Sequence, residues 1–164
     1  MKKNMRIKIN KNDGGFTLLE VILVLIFISI FATIAVSRQS NPDVSLTAAA
    51  EVLKAHIRYA QMRAMNSNIM WGVHAEAGTT YWLFNSADTG NRQFFPGENE
   101  DNVDIGADGI SISQGEGVTS FTVSFDHWGV PSVVPSVSGP VVITLSKDSQ
   151  TNQIAIIQNT GFVR

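Results

Sequence analysis

The chain has 164 residues, 12 basic and 14 acidic side chains, and no cysteine; at roughly 100–200 residues per domain this allows one compact domain plus a targeting segment. Charged residues are 16% of the chain, below the usual level of about 25%, which argues against a disordered tail protein, and the near-neutral balance argues against a general nucleic-acid coat. The missing thiols exclude a disulfide scaffold, Cys-ligated zinc, an iron–sulfur cluster and a thiol nucleophile.

Charge is distributed unevenly. Residues 1–15 carry Lys2, Lys3, Arg6, Lys8 and Lys11 against Asp13, a net of +4, whereas 16–164 hold seven basic and thirteen acidic groups, a net of −6. The basic stretch leads into the most apolar part of the chain, residues 16–36, in which only Glu20 is ionisable. As a helix these residues span about 31 Å, enough to cross a hydrocarbon core of about 30 Å. The basic cluster then stays cytoplasmic and the rest of the chain lies on the far side.

Three readings of this segment compete. A soluble core helix would show a polar face, and none is present. A secretory signal peptide fits the basic start and the small residues Ala35 and Ser37, but its apolar region is usually about 7–15 residues and carries no acid. A membrane and assembly helix explains Glu20: near the start of the helix it can sit at the interface, and among packed helices it needs a cation. Cleavage after Gly15 would supply one, the new α-amine of Phe16.

The residues Gly15-Phe16-Thr17-Leu18-Leu19-Glu20, after a short basic leader and before an apolar helix, resemble the type III signal of type IV pilins and type II secretion pseudopilins. The resemblance implies that a prepilin peptidase cuts after Gly15 and N-methylates Phe16. It also implies that Glu20 pairs with an N-terminal amine during filament assembly.

Past the apolar run, Asn41-Pro42-Asp43 reads as a helix start, with Asn as cap and Pro at the first position. One long helix kinked at Pro42 is the alternative. From 42 to about 66 the spacing is helical. Ala49, Leu53, Ile57, Ala60 and Ala64 form a stripe with Val52 and His56 beside it, predicting an amphipathic helix clasped by strands.

The period then becomes strand-like. Segments 69–76 and 79–85 flank Ala77-Gly78 as a hairpin, 109–113 is a short alternating run, and 118–126 puts Phe121, Val123 and Phe125 on one face. Segments 140–147 and 152–158 flank Asp148-Ser149-Gln150-Thr151 as a second hairpin. One helix followed by strands gives an α+β fold with antiparallel sheet. The divisions are a cleaved leader 1–15, a transmembrane and filament-core helix 16–36, an amphipathic helix 37–68 and a β domain 69–164 with a long variable loop 86–117.

The later segments extend the resemblance. Ala60-Gln61-Met62-Arg63-Ala64-Met65, Phe125-Asp126-His127-Trp128-Gly129-Val130-Pro131 and Thr160-Gly161-Phe162-Val163 are similar to the helix end, the phenylalanine–x–x–x–glycine–x–proline segment and the ending of the GspH/FimT family of minor pilins and pseudopilins. The family's usual arginine after the helix alanine is Gln61 here. The resemblance implies a pilin-like fold, a long N-terminal helix packed on antiparallel sheets. The implied role is that of a subunit, not an enzyme, in type II protein secretion or type IV pilus biogenesis. Its implied partners are other pilins or pseudopilins through 16–36, the prepilin peptidase, the inner-membrane assembly platform and membrane lipid. The implied location is the inner membrane, single-pass, with the N-terminus cytoplasmic before processing and the globular domain outside the cytoplasm.

No enzyme constellation stands out. His56, His74 and His127 lack metal-ligand spacing, and there is no nucleophile elbow or phosphate-binding loop. Segment 98–109 is acid-rich, with Asp101, Asp104 and Asp108 as calcium candidates. An EF-hand register from Asp104, however, puts Gly106 third and Gly115 at the bidentate position. A solvated acidic loop without a cofactor is the favoured reading, calcium the alternative. Phe94-Phe95-Pro96-Gly97 reads as core packing, with an exposed docking knob the alternative. Trp71, Trp82 and Trp128 read as core or sheet-face aromatics. A DNA-binding minor pilin active in DNA uptake is the rival function. It requires Arg58, Arg63, Arg92, Lys147 and Arg164 to cluster against a net charge of −5 over 38–164.

Overall fold

The computed structural model describes residues 17–38, 42–115 and 117–164, with the side chains of 33–38 and 42–43 outside the description. The chain divides into two units, 1–41 and 42–164. The first contains α1 (Leu18–Arg38). Its described apolar side chains, from Leu18 to Phe31, are all exposed and cover the whole circumference. Among the described residues no helix is long and apolar enough to cross a membrane. The expected 16–36 span extends outside those residues at Phe16 and in the side chains from 33 onward.

The second unit opens with α2 (Pro42–Ser67). The larger sheet is antiparallel, built from β1 (Trp71–Glu76), β2 (Thr80–Asn85), β3 (Arg92–Gln93), β4 (Val103–Asp104), β6 (Phe121–Phe125) and β7 (Pro131–Val134). Its order is β3-β2-β1-β6-β7, with β4 on the other end of β2. A second sheet has the order β5-β8-β9, from β5 (Ser111–Gln114), β8 (Val141–Lys147) and β9 (Gln150–Ile156). α2 packs on both sheets, which makes the α+β architecture a helix laid across two antiparallel layers.

Alternation decides which side of each strand meets the helix. Val73 lies opposite Leu83 and Val123, and Ala75 opposite Tyr81 and Phe121, all buried. In the second sheet Ile143 and Leu145 of β8 and Ile154 and Ile156 of β9 supply the same face. These residues and the α2 stripe Leu46, Ala50, Leu53, Ile57, Ala60 and Ala64 form one hydrophobic cluster.

Several expectations are corrected in detail. The inward stripe of α2 uses Leu46 and Ala50, whereas Ala49 is half-buried and Val52 is 44% exposed. Spacings of four and three residues place 46, 50, 53, 57, 60 and 64 on one face, and Val52 falls off it. The second hairpin turns on Asp148-Ser149 alone, because pairing of Lys147 with Gln150 extends β9 to the turn. β7 is a strand that the sequence did not announce. It is the outermost strand of its sheet, with Pro131 at its first residue and Pro135 just beyond its last. The long loop 86–117 contains β3, β4, a short 3-10 turn (Gly106–Asp108) and β5, and it buries Phe95, Ile105, Ile110 and Ile112. α1 ends at Arg38 and α2 starts at Pro42, with 39–41 outside the described residues.

Candidate functional site

Gly15 and Phe16 lie outside the described residues. Glu20 is described, exposed, in the first turn of α1. Its amide N–H donates to Thr17 Oγ1 at 3.3 Å and to the Thr17 carbonyl at 3.0 Å. Thr17 is therefore the helix cap and Glu20 the third helical residue, the spacing of a capping box. An acid at that position also meets the positive end of the helix dipole. Sequence reasoning did not single out Thr17, although its signal is a threonine three positions before a glutamate at the start of an apolar run.

α2 carries a second apolar stripe. Val44, Ala48, Val52, Ala55 and Met62 are exposed and Tyr59 is half-buried, again at spacings of four and three residues. At 100° per residue this stripe lies almost opposite the core-facing one. A helix apolar on two faces has one face more than its own sheets can cover.

Beside the outward stripe the long loop returns to the helix. Phe95 stacks on the His56 ring at 3.9 Å between centroids and 9° between planes, and meets Tyr81 edge-on at 5.9 Å. His56 Nδ1 lies 3.0 Å from the Tyr81 hydroxyl. Burial pushes the His56 pKa down to about 4. Burial also raises the Tyr81 pKa, and the nearby Glu98 carboxylate adds to the effect. Phe95 is thus core, as expected, while its neighbour Phe94 is 61% exposed. A cleft of about 410 Å³ beside this cluster is lined by Val52, Ala55, His56, Tyr59, Pro96 and Glu98.

The far end of α2 collects the family-like segments. Gln61 Nε2 donates to the Gly129 carbonyl at 3.0 Å and approaches the Thr160 carbonyl at 3.5 Å. Arg58 donates to the Val163 carbonyl at 2.8 Å. Gly161 has a left-handed backbone, with φ of 64°. A Cβ built there would lie 2.2 Å from both Gln61 Nε2 and the Gly129 carbonyl oxygen. Asp126 Oδ1 accepts the N–H groups of Trp128 and Val130 at 2.9 and 2.8 Å. Asp126-His127 therefore sits in a capped turn and not in a strand, and Trp128 is 75% exposed, a correction to its expected place in a core or on a sheet face. Trp71 and Trp82 are buried as expected.

The calcium candidates do different jobs. Asp101 lies 3.9 Å from Arg92, and Asp104 Oδ1 accepts the Gly106 N–H at 2.8 Å. Asp108 ends the short 3-10 turn. Among the described residues no group of three His, Asp or Glu side chains could hold a metal. The basic residues are also dispersed in role. Arg63 lies over Trp71 and Arg92 over Trp82, Lys147 donates to Ser45, and Arg58 is committed to Val163. His74, with Nδ1 2.7 Å from Thr122 Oγ1, packs beside Trp82.

No family model matches the sequence, and no curated protein sequence matches it. Solved structures do. The minor pseudopilin EpsH from the type 2 secretion system of Vibrio cholerae superposes with a TM-score of 0.54 at 13% identity, covering 73% of this chain and 94% of that one. The type IV minor pilin FimU of Pseudomonas aeruginosa gives 0.52 at 17% identity, over 73% and 86% of the two chains. The fold is that of minor pilins and pseudopilins. Within this minor-pilin fold the family-like segments around Gln61, Gly129 and Gly161 meet at one end of α2, and the outward stripe of α2 is left uncovered by its own sheets.

Proposed function

We propose that the chain is a minor pilin or pseudopilin, a filament subunit assembled at the inner membrane in type II protein secretion or type IV pilus biogenesis. Its work is packing, and the reading assigns it no catalytic step. The observation that carries the proposal is α1: a capped helix, apolar on every side, whose described side chains bury nothing. Such a helix is stable only when lipid or other helices cover it. The minor-pilin fold of the second unit supports the same reading, and the outward stripe of α2 gives the globular unit a face for neighbouring subunits.

In this reading a prepilin peptidase removes 1–15, Phe16 becomes the methylated terminus, and Glu20 pairs with the free amine of a neighbour. The globular unit lies outside the cytoplasm. The DNA-uptake alternative needs a cationic face. Arg58, Arg63, Arg92 and Lys147 each have a separate partner within the fold, so no observation favours it.

Mass spectrometry of the protein recovered from membranes is the direct test. The expected N-terminus is a methylated Phe16, and Gly15→Ala should leave an unshifted precursor. A mature terminus elsewhere, or one unaffected by Gly15→Ala, would overturn the reading.

A further inference from the structure

The contact between His56 and Phe95 joins two parts of the chain with different characters. His56 belongs to α2, buried between the core-facing stripe and the cleft, while Phe95 is carried by the connection between β3 and β4. That connection has two short strands of two residues each, paired only to β2. Phe95 is its deepest anchor between them, 2% exposed, wedged against the imidazole and the edge of Tyr81. Phe95, itself part of the core cluster, ties residues 94–98 to the helix through its stack on one ionisable ring.

The groups facing that ring can be named. From β2 comes the Tyr81 hydroxyl, and from the connection come Phe95 and the Glu98 carboxylate along the same cleft. On α2 itself Tyr59 lines the cleft, while Lys54 turns away to an ion pair with Glu51 at 2.8 Å. Among the described residues no carboxylate forms an ion pair with His56. An imidazolium here loses its hydration and gains no counter-charge in contact. The cleft beside it offers a short way out to water.

We propose that His56 is a proton-operated latch: when the imidazole takes up a proton, the ring leaves its stack and residues 94–98 detach from α2. Pro96 and Glu98 form one wall of the cleft along Val52, Ala55 and Tyr59. Opening the latch therefore removes the border of the outward α2 stripe and widens the apolar face that it presents. This functional half rests on the reading of that stripe as a subunit-packing face, whereas the latch itself does not.

The sign follows from linkage. Burial lowers the affinity of the closed latch for a proton, and an open, hydrated His56 has the ordinary affinity. Acid therefore favours the open form. At pH 4.5 the opening equilibrium should rise roughly 50-fold over pH 7, taking a closed value near 4 against about 6.5 open.

Hydrogen exchange read by mass spectrometry on the full chain in detergent micelles tests it. After correction for the intrinsic pH dependence, peptides covering 92–98 should exchange at least tenfold faster at pH 4.5 than at pH 7. Peptides of β8 and β9 should keep their protection. In His56→Phe, which keeps a flat ring but cannot take a proton, the pH effect should vanish. His56→Gln serves as the second uncharged variant should the first not fold. Equal protection of 92–98 at both pH values overturns the latch. So does loosening that persists in the uncharged variant, and so does simultaneous loss of protection in β8 and β9. Crosslinking of the Val52→Cys variant to other subunits, compared at pH 7 and 4.5, separates the two halves. Crosslinks that form equally at both pH values while the latch opens refute the regulation alone, and an absence of crosslinks at both refutes the packing-face reading.

Discussion

Gln61 Nε2 stands 3.0 Å from the carbonyl oxygen of Gly129, sixty-eight residues away in sequence. One side-chain amide on α2 thereby fixes the turn after β6 and reaches toward the Thr160 carbonyl of the closing segment. The family resemblance places an arginine at this position, and the structure shows why a donor is needed there. Two backbone carbonyls converge on the helix, and an unmet carbonyl in a half-buried place is costly.

Gln61→Ala should therefore lower unfolding stability by about 1–2 kcal/mol, measured by urea titration of the full chain in micelles. Gln61→Arg keeps the donors and should lose less. Equal losses for the two would mean that packing and not donation matters here.

Gly161→Ala should be worse than an ordinary loop substitution. It combines a left-handed backbone with a Cβ 2.2 Å from the Gly129 carbonyl. Gly97→Ala is the control, also left-handed but with nothing within 4 Å of the added carbon. The control should cost about 1–2 kcal/mol, and Gly161→Ala at least about 1 kcal/mol more because backbone must move. A shared melting temperature for the two variants would contradict this.

Stability should fall in acid through His56. Its folded pKa, about 4, lies below the unfolded value. The neutral ring's contribution is fully present above about pH 6.5 and is lost as pH falls through 4. The upper bound is about 3 kcal/mol at about 1.36 kcal/mol per unit, and local opening of the latch reduces it. Urea titrations at pH 7, 5 and 4 on the native chain and His56→Phe should show the extra slope only in the native chain.

The proposed assembly role of Glu20 is separable from its place in the first helical turn, and Thr17 distinguishes the two. Thr17→Ala removes the cap hydrogen bond but leaves the carboxylate, costing about 0.5–2 kcal/mol of helix stability with assembly retained. Glu20→Ala should leave membrane insertion intact and reduce incorporation into filaments or secretion complexes. Measured incorporation falling equally in both variants would point to capping as the sole role.

Much of this was readable in the sequence because the periods were clean. Alternation in 118–126 puts Phe121, Val123 and Phe125 on one face, which the structure buries, and Ala77-Gly78 locates the first hairpin. The outward stripe through Val52 escapes the sequence reading because α2 is apolar on two faces, and a periodicity count cannot tell which of two opposite stripes meets the sheet. β7 was hidden by its prolines, which lower strand propensity without preventing an edge strand. Trp128 reads as core because large aromatics usually are, yet the Trp128 and Val130 N–H groups donate to Asp126 Oδ1 and hold its turn outward. The His56–Phe95 stack joins residues 39 positions apart, and nothing local in either segment marks the other.

The prolines that bracket β7 bear on how the chain meets other copies of itself. The border of the larger sheet is short and lacks an amide donor at its first residue and again just beyond its last. A neighbouring chain finds little there on which to lay a strand, so crowding need not seed amyloid-like stacking.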